Sequence, residues 1–166
     1  MKHFTVLSGL IFLLALLLAG CAKIAPKTPE PLEEPIPLNS FTFMARGMST
    51  GSIYSYTAEK TEEGTHLYLE LNCGYIIIDV TVEEDVLGEL GAIAAEYRLD
   101  TWDGFDKTNK HVSDGEGFTL SIITEDGREI YANGSNEFPH NYSDAKGAID
   151  ELFGGLIEKY GDIYTQ

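Results

Sequence analysis

Thr65-His66-Leu67-Tyr68-Leu69-Glu70-Leu71-Asn72 alternates without a break. Leu67, Leu69 and Leu71 fall on one side of an extended chain, and His66, Tyr68 and Glu70 on the other. A period of two is the signature of a strand with one buried face and one wet face. Phe41 to Arg46 repeats the pattern, with Phe41, Phe43 and Ala45 opposed to Thr42, Met44 and Arg46. Ser52 to Lys60 repeats it again, with Tyr54 and Tyr56 opposed to Ser55 and Thr57. The stretches Gly47 to Gly51 and Glu62 to Gly64 supply turns between these runs. Asn72-Cys73-Gly74 is either a tight turn into a fourth strand, Tyr75 to Val82, or a bulge at Gly74 within one longer strand.

The period then changes. Val86, Leu90, Ile93 and Tyr97 recur at helical spacing and predict a helix over Glu83 to Leu99. Thr81 and Glu84 have capping-box spacing, and Glu83, Glu84 and Asp85 suit the positive helix start. Gly88 and Gly91 give that helix a smooth face for close packing on the sheet. A second hairpin follows, with Gly117 to Thr124 turned by Asp126-Gly127 into Glu129 to Asn133. Ile149, Leu152, Phe153, Leu156 and Tyr160 form the stripe of a last helix, Ser143 to Tyr160, with Gly161 just past its end. About six strands in two blocks, with two helices packed on them, predict an α+β domain with a mostly antiparallel sheet.

Working outward toward the N-terminus, the composition changes twice. Lys2 and the α-amino group precede an apolar run from Phe4 to Leu18, and Leu18-Ala19-Gly20-Cys21 follows. The run is about 15 residues long, shorter than the roughly 20 a membrane-spanning helix needs. Small residues at a cleavage point make it a signal peptide over residues 1–20. The tetrapeptide resembles the bacterial lipobox, which implies a diacylglyceryl group on Cys21. Two or three acyl chains there would anchor the chain durably, because one alone holds only marginally. The expected location is the bacterial cell envelope, on the outer face of the cytoplasmic membrane.

From Ala22 to Leu38 the chain holds five of its six prolines. Proline lacks a backbone donor and restricts its predecessor, so residues 21–38 are expected to be a tether, either polyproline-like or disordered. Residues 39–166 remain as a single domain of ordinary size.

The chain has 11 Lys+Arg against 27 Asp+Glu, a formal net charge of −16. That balance excludes nucleic acid as a partner, since phosphate binding needs basic patches. It also opposes lying flat on anionic lipid. An acidic, solvated surface explains the charge, and a cationic ligand or partner is the sharper alternative.

Cys73 is the one cysteine left once Cys21 is lipidated. Its apolar, strand-like neighbourhood predicts a buried structural thiol, with an intermolecular bond as the alternative. No nucleophile elbow, H-E-x-x-H, P-loop or dinucleotide fingerprint is present. His66, His111 and His140 are too scattered to predict zinc ligands, so no metal, cofactor or catalytic residue is assigned. Asp100 to Asp106 and Asp114 to Gly117 are acidic and glycine-bearing, but neither has EF-hand spacing, and turn chemistry accounts for both.

The most distinctive text runs from Tyr97-Arg98-Leu99-Asp100-Thr101-Trp102-Asp103-Gly104-Phe105 through Asp114-Gly115-Glu116-Gly117-Phe118 and Asp126-Gly127. It ends in Gly134-Ser135-Asn136-Glu137-Phe138-Pro139-His140-Asn141-Tyr142. This ordered set resembles an uncharacterised domain family of Firmicutes secreted lipoproteins, over about Leu90 to Tyr160. The resemblance implies location and fold, and no activity.

These residues gather where the first helix ends and the second hairpin begins. On one reading Trp102, Phe105, Phe138 and Tyr142 form a satellite core. On the other they make a concave aromatic surface, with Asn136, His140 and Asn141 as hydrogen bonders for a protein, peptide or glycan ligand. The expected role is non-enzymatic binding by a membrane-tethered domain. A small envelope hydrolase and an enzyme inhibitor are the alternatives.

Overall fold

The computed structural model describes residues 29–48, 53–112 and 115–161. Cys21, the signal segment and Asp114 lie outside them. The chain forms β1 (Leu38–Arg46), β2 (Tyr54–Thr61), β3 (Gly64–Leu71) and β4 (Ile76–Val82), then helix α1 (Val86–Glu96) and a 3-10 turn, Leu99–Trp102. After these come β5 (Phe105–Thr108), β6 (Gly117–Thr124), β7 (Glu129–Ser135) and helix α2 (Tyr142–Tyr160). One sheet in the order β4-β3-β2-β1-β6-β7-β5 unites both predicted blocks. The fold is α+β, with seven strands where about six were expected.

Five of the six strand pairings are antiparallel; β5 alone runs parallel to its neighbour, β7. β1 joins the blocks because it pairs with β2 on one side and β6 on the other. Register carries the alternation across the sheet. Phe43 lies opposite Tyr56 and Leu120, and Phe41 opposite Ala58 and Ile122. These residues are buried, as are Leu67 and Leu69 on β3. Both helices cover this face, with Leu90 and Ala94 of α1 and Ile149, Phe153 and Leu156 of α2 in the same core. Phe153 stacks on Tyr56 with ring centroids 4.4 Å apart. The opposite face carries Thr42, Thr57, His66, Tyr68 and Tyr131, the polar half of the alternation. Among the described residues no helix is long and apolar enough to cross a membrane.

Several local expectations change. α1 is capped by Asp85, whose carboxylate accepts from the Gly88 amide at 3.0 Å, and Thr81 belongs to β4. Asn72-Cys73-Gly74 is a turn between two strands, not a bulge, and all three residues have positive φ. Cys73 is therefore free and exposed, because a tight turn points its side chain away from the sheet. β5 escapes a search for alternation, since Phe105-Asp106-Lys107-Thr108 holds one apolar residue.

The proline-rich segment is not a tether along its whole length. Ile36 and Leu38 are 7% and 4% exposed and belong to the core. The Leu32 amide donates to Ala95 O at 3.0 Å, and the Ile36 amide to Gly91 O at 3.1 Å. Arg98 Nη1 donates to Glu30 O at 3.0 Å while the same guanidinium holds Asp100 in a two-pronged pair. The strap lies along α1, and this explains Gly91: a Cβ there would sit 2.3 Å from Ile36 O. At Gly91 the helix receives this segment instead of the sheet, and Gly88 makes room for the Asp85 carboxylate.

Candidate functional site

The aromatic corner is assembled, and its rings point inward. Trp102 is 2% exposed and meets Phe118 edge-on, with centroids 5.8 Å apart and planes at 72°. Its Nε1 donates to His140 O at 3.1 Å, which satisfies the one polar atom of a buried indole. Phe138 stacks on Tyr142 at 4.4 Å, Tyr142 reaches Phe118 at 4.7 Å, and Phe105 reaches Phe118 at 6.3 Å. Phe118 also stacks on Phe43 at 6.4 Å, so the corner is continuous with the main core and is no satellite of it. Gly134 lies beneath it, where a Cβ would meet the Phe118 ring at 2.4 Å.

The polar residues of the corner build turns. Asn136 and Asn141 have φ of 54° and 61°, the left-handed region that asparagine tolerates better than most residues. The Asn136 amide donates to Glu116 O at 2.8 Å, and its Nδ2 to Val112 O at 3.3 Å. Asn141 precedes α2, and its carbonyl accepts from Ala145 at 3.0 Å. The imidazole of His140 is exposed, and its carbonyl serves Trp102. An open depression of about 530 Å3 runs past Phe138, Pro139, His140, Asn141, Ser143 and Asp144. Trp102 and Phe105 do not line it.

The acidic stretch nearby is likewise used internally. Asp103 accepts from the Tyr131 amide at 3.0 Å and Asp106 from Asn133 Nδ2 at 3.0 Å. Among the described residues no three His, Cys, Asp or Glu side chains converge as metal ligands.

A larger groove, of about 700 Å3, opens beside Glu116. Its walls include Met48, Tyr54, Tyr56, Glu116, Lys146 and Asp150. The sheet explains the space. In the row Leu71, Tyr54, Ala45, Phe118, a methyl group sits between two large rings, so the helix-covered face has a notch there. α2 faces this notch with Lys146 and Asp150, one position beyond its apolar residues Ala145 and Ile149.

The polar wall is fixed. The Tyr54 hydroxyl donates to Asp150 Oδ1 at 2.6 Å, and Lys146 Nζ donates to Asp150 Oδ2 at 2.6 Å. Lys146 Nζ also lies 5.4 Å from the Tyr54 ring centroid, within cation–π range. The Tyr142 hydroxyl donates to Glu116 Oε1 at 2.9 Å. Burial, then the hydrogen bond to Asp150, pushes the Tyr54 hydroxyl far above the usual phenol range. Burial and nearby Asp150 raise Tyr56, and burial with the Glu116 hydrogen bond raises Tyr142. All three hydroxyls stay neutral at any physiological pH, so Tyr54 and Tyr142 act as fixed donors to carboxylates.

Of the residues expected to bind, Tyr142 and Asn136 connect to this groove through Glu116, Tyr142 by its hydroxyl and Asn136 by its backbone amide. Tyr54, Tyr56, Lys146 and Asp150 were missed. Tyr-x-Tyr on the inward face of a strand reads as core. Lys146 and Asp150 read as an ordinary i,i+4 surface pair. The signal that could have found them is that pair's position at the edge of an apolar stripe. No family model matches the chain, and no curated protein or solved structure matches it.

Proposed function

We propose that this chain is a lipid-anchored extracytoplasmic domain that binds a ligand or protein partner at the bacterial cell envelope, without catalysing a reaction on it. On this reading it is a member of the Firmicutes lipoprotein domain family that its aromatic motifs resemble. Cys21 carries the lipid, and the domain faces away from the outer surface of the cytoplasmic membrane. Part of the expected tether belongs to the domain itself, because the strap from Glu30 onward is bound to α1 and Arg98.

One observation carries the binding role: the groove combines tyrosine walls with polar groups already locked in place. Concave sites with an apolar lining and a few fixed polar groups are where ligands seat, because ordering costs are met in advance. Tyr54, held as a neutral donor with its proton engaged by Asp150, is a recognition group and a poor proton shuttle. The test is retention of envelope components by the immobilised protein, with Met48→Arg as the comparison. Met48 is 70% exposed at the groove, so this change blocks the space without touching the core. A component held by the wild type and lost by the variant supports the reading; equal retention contradicts it.

A further inference from the structure

The two carboxylates of the groove are not in the same state. Asp150 has a donor on each oxygen, and Lys146 neutralises it. Glu116 accepts from the Tyr142 hydroxyl, and among the described residues no basic side chain pairs with it. Basic residues elsewhere have found carboxylates: Lys60 with Glu125, Lys107 with Glu137, Lys159 with Glu84 and Arg98 with Asp100. Glu116 is also held by its backbone, since its carbonyl accepts from the Asn136 amide at 2.8 Å. The aromatic corner thus positions an uncompensated negative charge at the groove wall.

The groove contains its own precedent for the complementary group. Lys146 places an ammonium against a carboxylate and over a tyrosine face at once. That pairing of ring and anion is the physical recipe for holding an ammonium ion. The net charge of −16 adds a long-range field that concentrates cations near the surface.

We infer that the groove takes a ligand bearing a primary ammonium group, such as the lysine side chain of an extended peptide, with Glu116 as its counter-charge and the tyrosine walls packing its aliphatic stem. This rests on the proposed binding role and adds the chemical class of the ligand.

The experiment is calorimetric titration of the full chain in neutral detergent micelles with a lysine tripeptide blocked at both termini. The same peptide with all three amines acetylated is the control, because acetylation removes charge at nearly constant length. The wild type should bind the lysine peptide, and the acetylated one at least tenfold more weakly. Glu116→Gln should weaken binding about tenfold, which is ~1.4 kcal/mol, while leaving an acceptor for Tyr142 and an unchanged melting temperature. Glu62→Gln, at the opposite end of β2, should leave affinity within twofold.

Equal weakening by the two variants would mean diffuse attraction and overturn the site. Equal binding of both peptides, or no binding of the lysine peptide, would overturn the ammonium assignment. Retention lost on Met48→Arg would in those cases still support the binding role, so the two failures are distinguishable.

Discussion

The Tyr54 hydroxyl donates to Asp150 Oδ1 at 2.6 Å, tying the first residue of β2 to the third turn of α2. Ninety-six positions separate them in sequence. The bond joins two residues of the groove wall and fixes a strand end against the helix. Tyr54→Phe should cost about 1–2 kcal/mol, the scale of a hydrogen bond to a charged acceptor at a partly exposed site. Asp150→Asn should show strong non-additivity with it in a double-mutant cycle by denaturant melts. Additive losses would mean that the two side chains are not coupled.

Trp102→Ala should be among the most damaging single changes, at about 3–5 kcal/mol. It would leave a cavity beside Phe118 and an unpaired carbonyl at His140. His140→Ala should have little effect on stability, since only its backbone is used. Chemical denaturation of the two variants checks this, and a stable Trp102→Ala would return that ring to the list of binding residues.

A chain beginning at Asn39 should be less stable than one beginning at Pro29, by about 3 kcal/mol or more. Ile36 and Leu38 are both buried, and a fully buried aliphatic side chain is worth about 1.5–3 kcal/mol. Gly91→Ala should also destabilise, against helix propensity, since the added methyl meets Ile36 O. A rise in melting temperature for Gly91→Ala would show that the strap is loosely held.

Alkali should unfold the domain through its buried tyrosines. Tyr54, Tyr56 and Tyr142 are raised above the usual value of 10.0, chiefly by burial. Above about pH 10 the native state therefore holds more protons than the unfolded chain, so stability is full below that pH and falls as pH rises. Tyrosinate absorbance should grow in two phases, the second coinciding with loss of circular dichroism. A single phase completed before unfolding would contradict the burial of these hydroxyls.

Cys73 should react with a thiol reagent in the native state at a rate near that of a free thiol, since it is exposed. Reaction only after denaturation would restore the buried assignment.

The fold was legible wherever one face of an element is apolar. Leu67-Tyr68-Leu69 and Phe41-Thr42-Phe43 revealed their strands, and Ile149-x-x-Leu152-Phe153 its helix, because burial acts at the periods of the backbone itself. β5 was illegible because a short parallel edge strand is held by backbone pairing to β7, which places no demand on its side chains. The strap was hidden by its prolines, and Ile36 and Leu38 alternate across Pro37 out of phase with Phe41, Phe43 and Ala45, the mismatch being absorbed by a register shift between Leu38 and Ser40. The groove was hidden for a third reason. It comes from an absence of volume at Ala45 and from a pairing across ninety-six residues, and neither leaves a local period.

Photo-crosslinking in native membranes tests the central claim most directly. A photoreactive phenylalanine analogue is placed at Met48, beside the groove, or at Tyr131 on the uncovered face of the sheet. A discrete crosslinked species from Met48 in the membrane fraction, lost when Glu116→Gln is added and absent from Tyr131, is the predicted result. Crosslinking from Tyr131 with none from Met48 would put the binding surface on the open sheet and contradict the account.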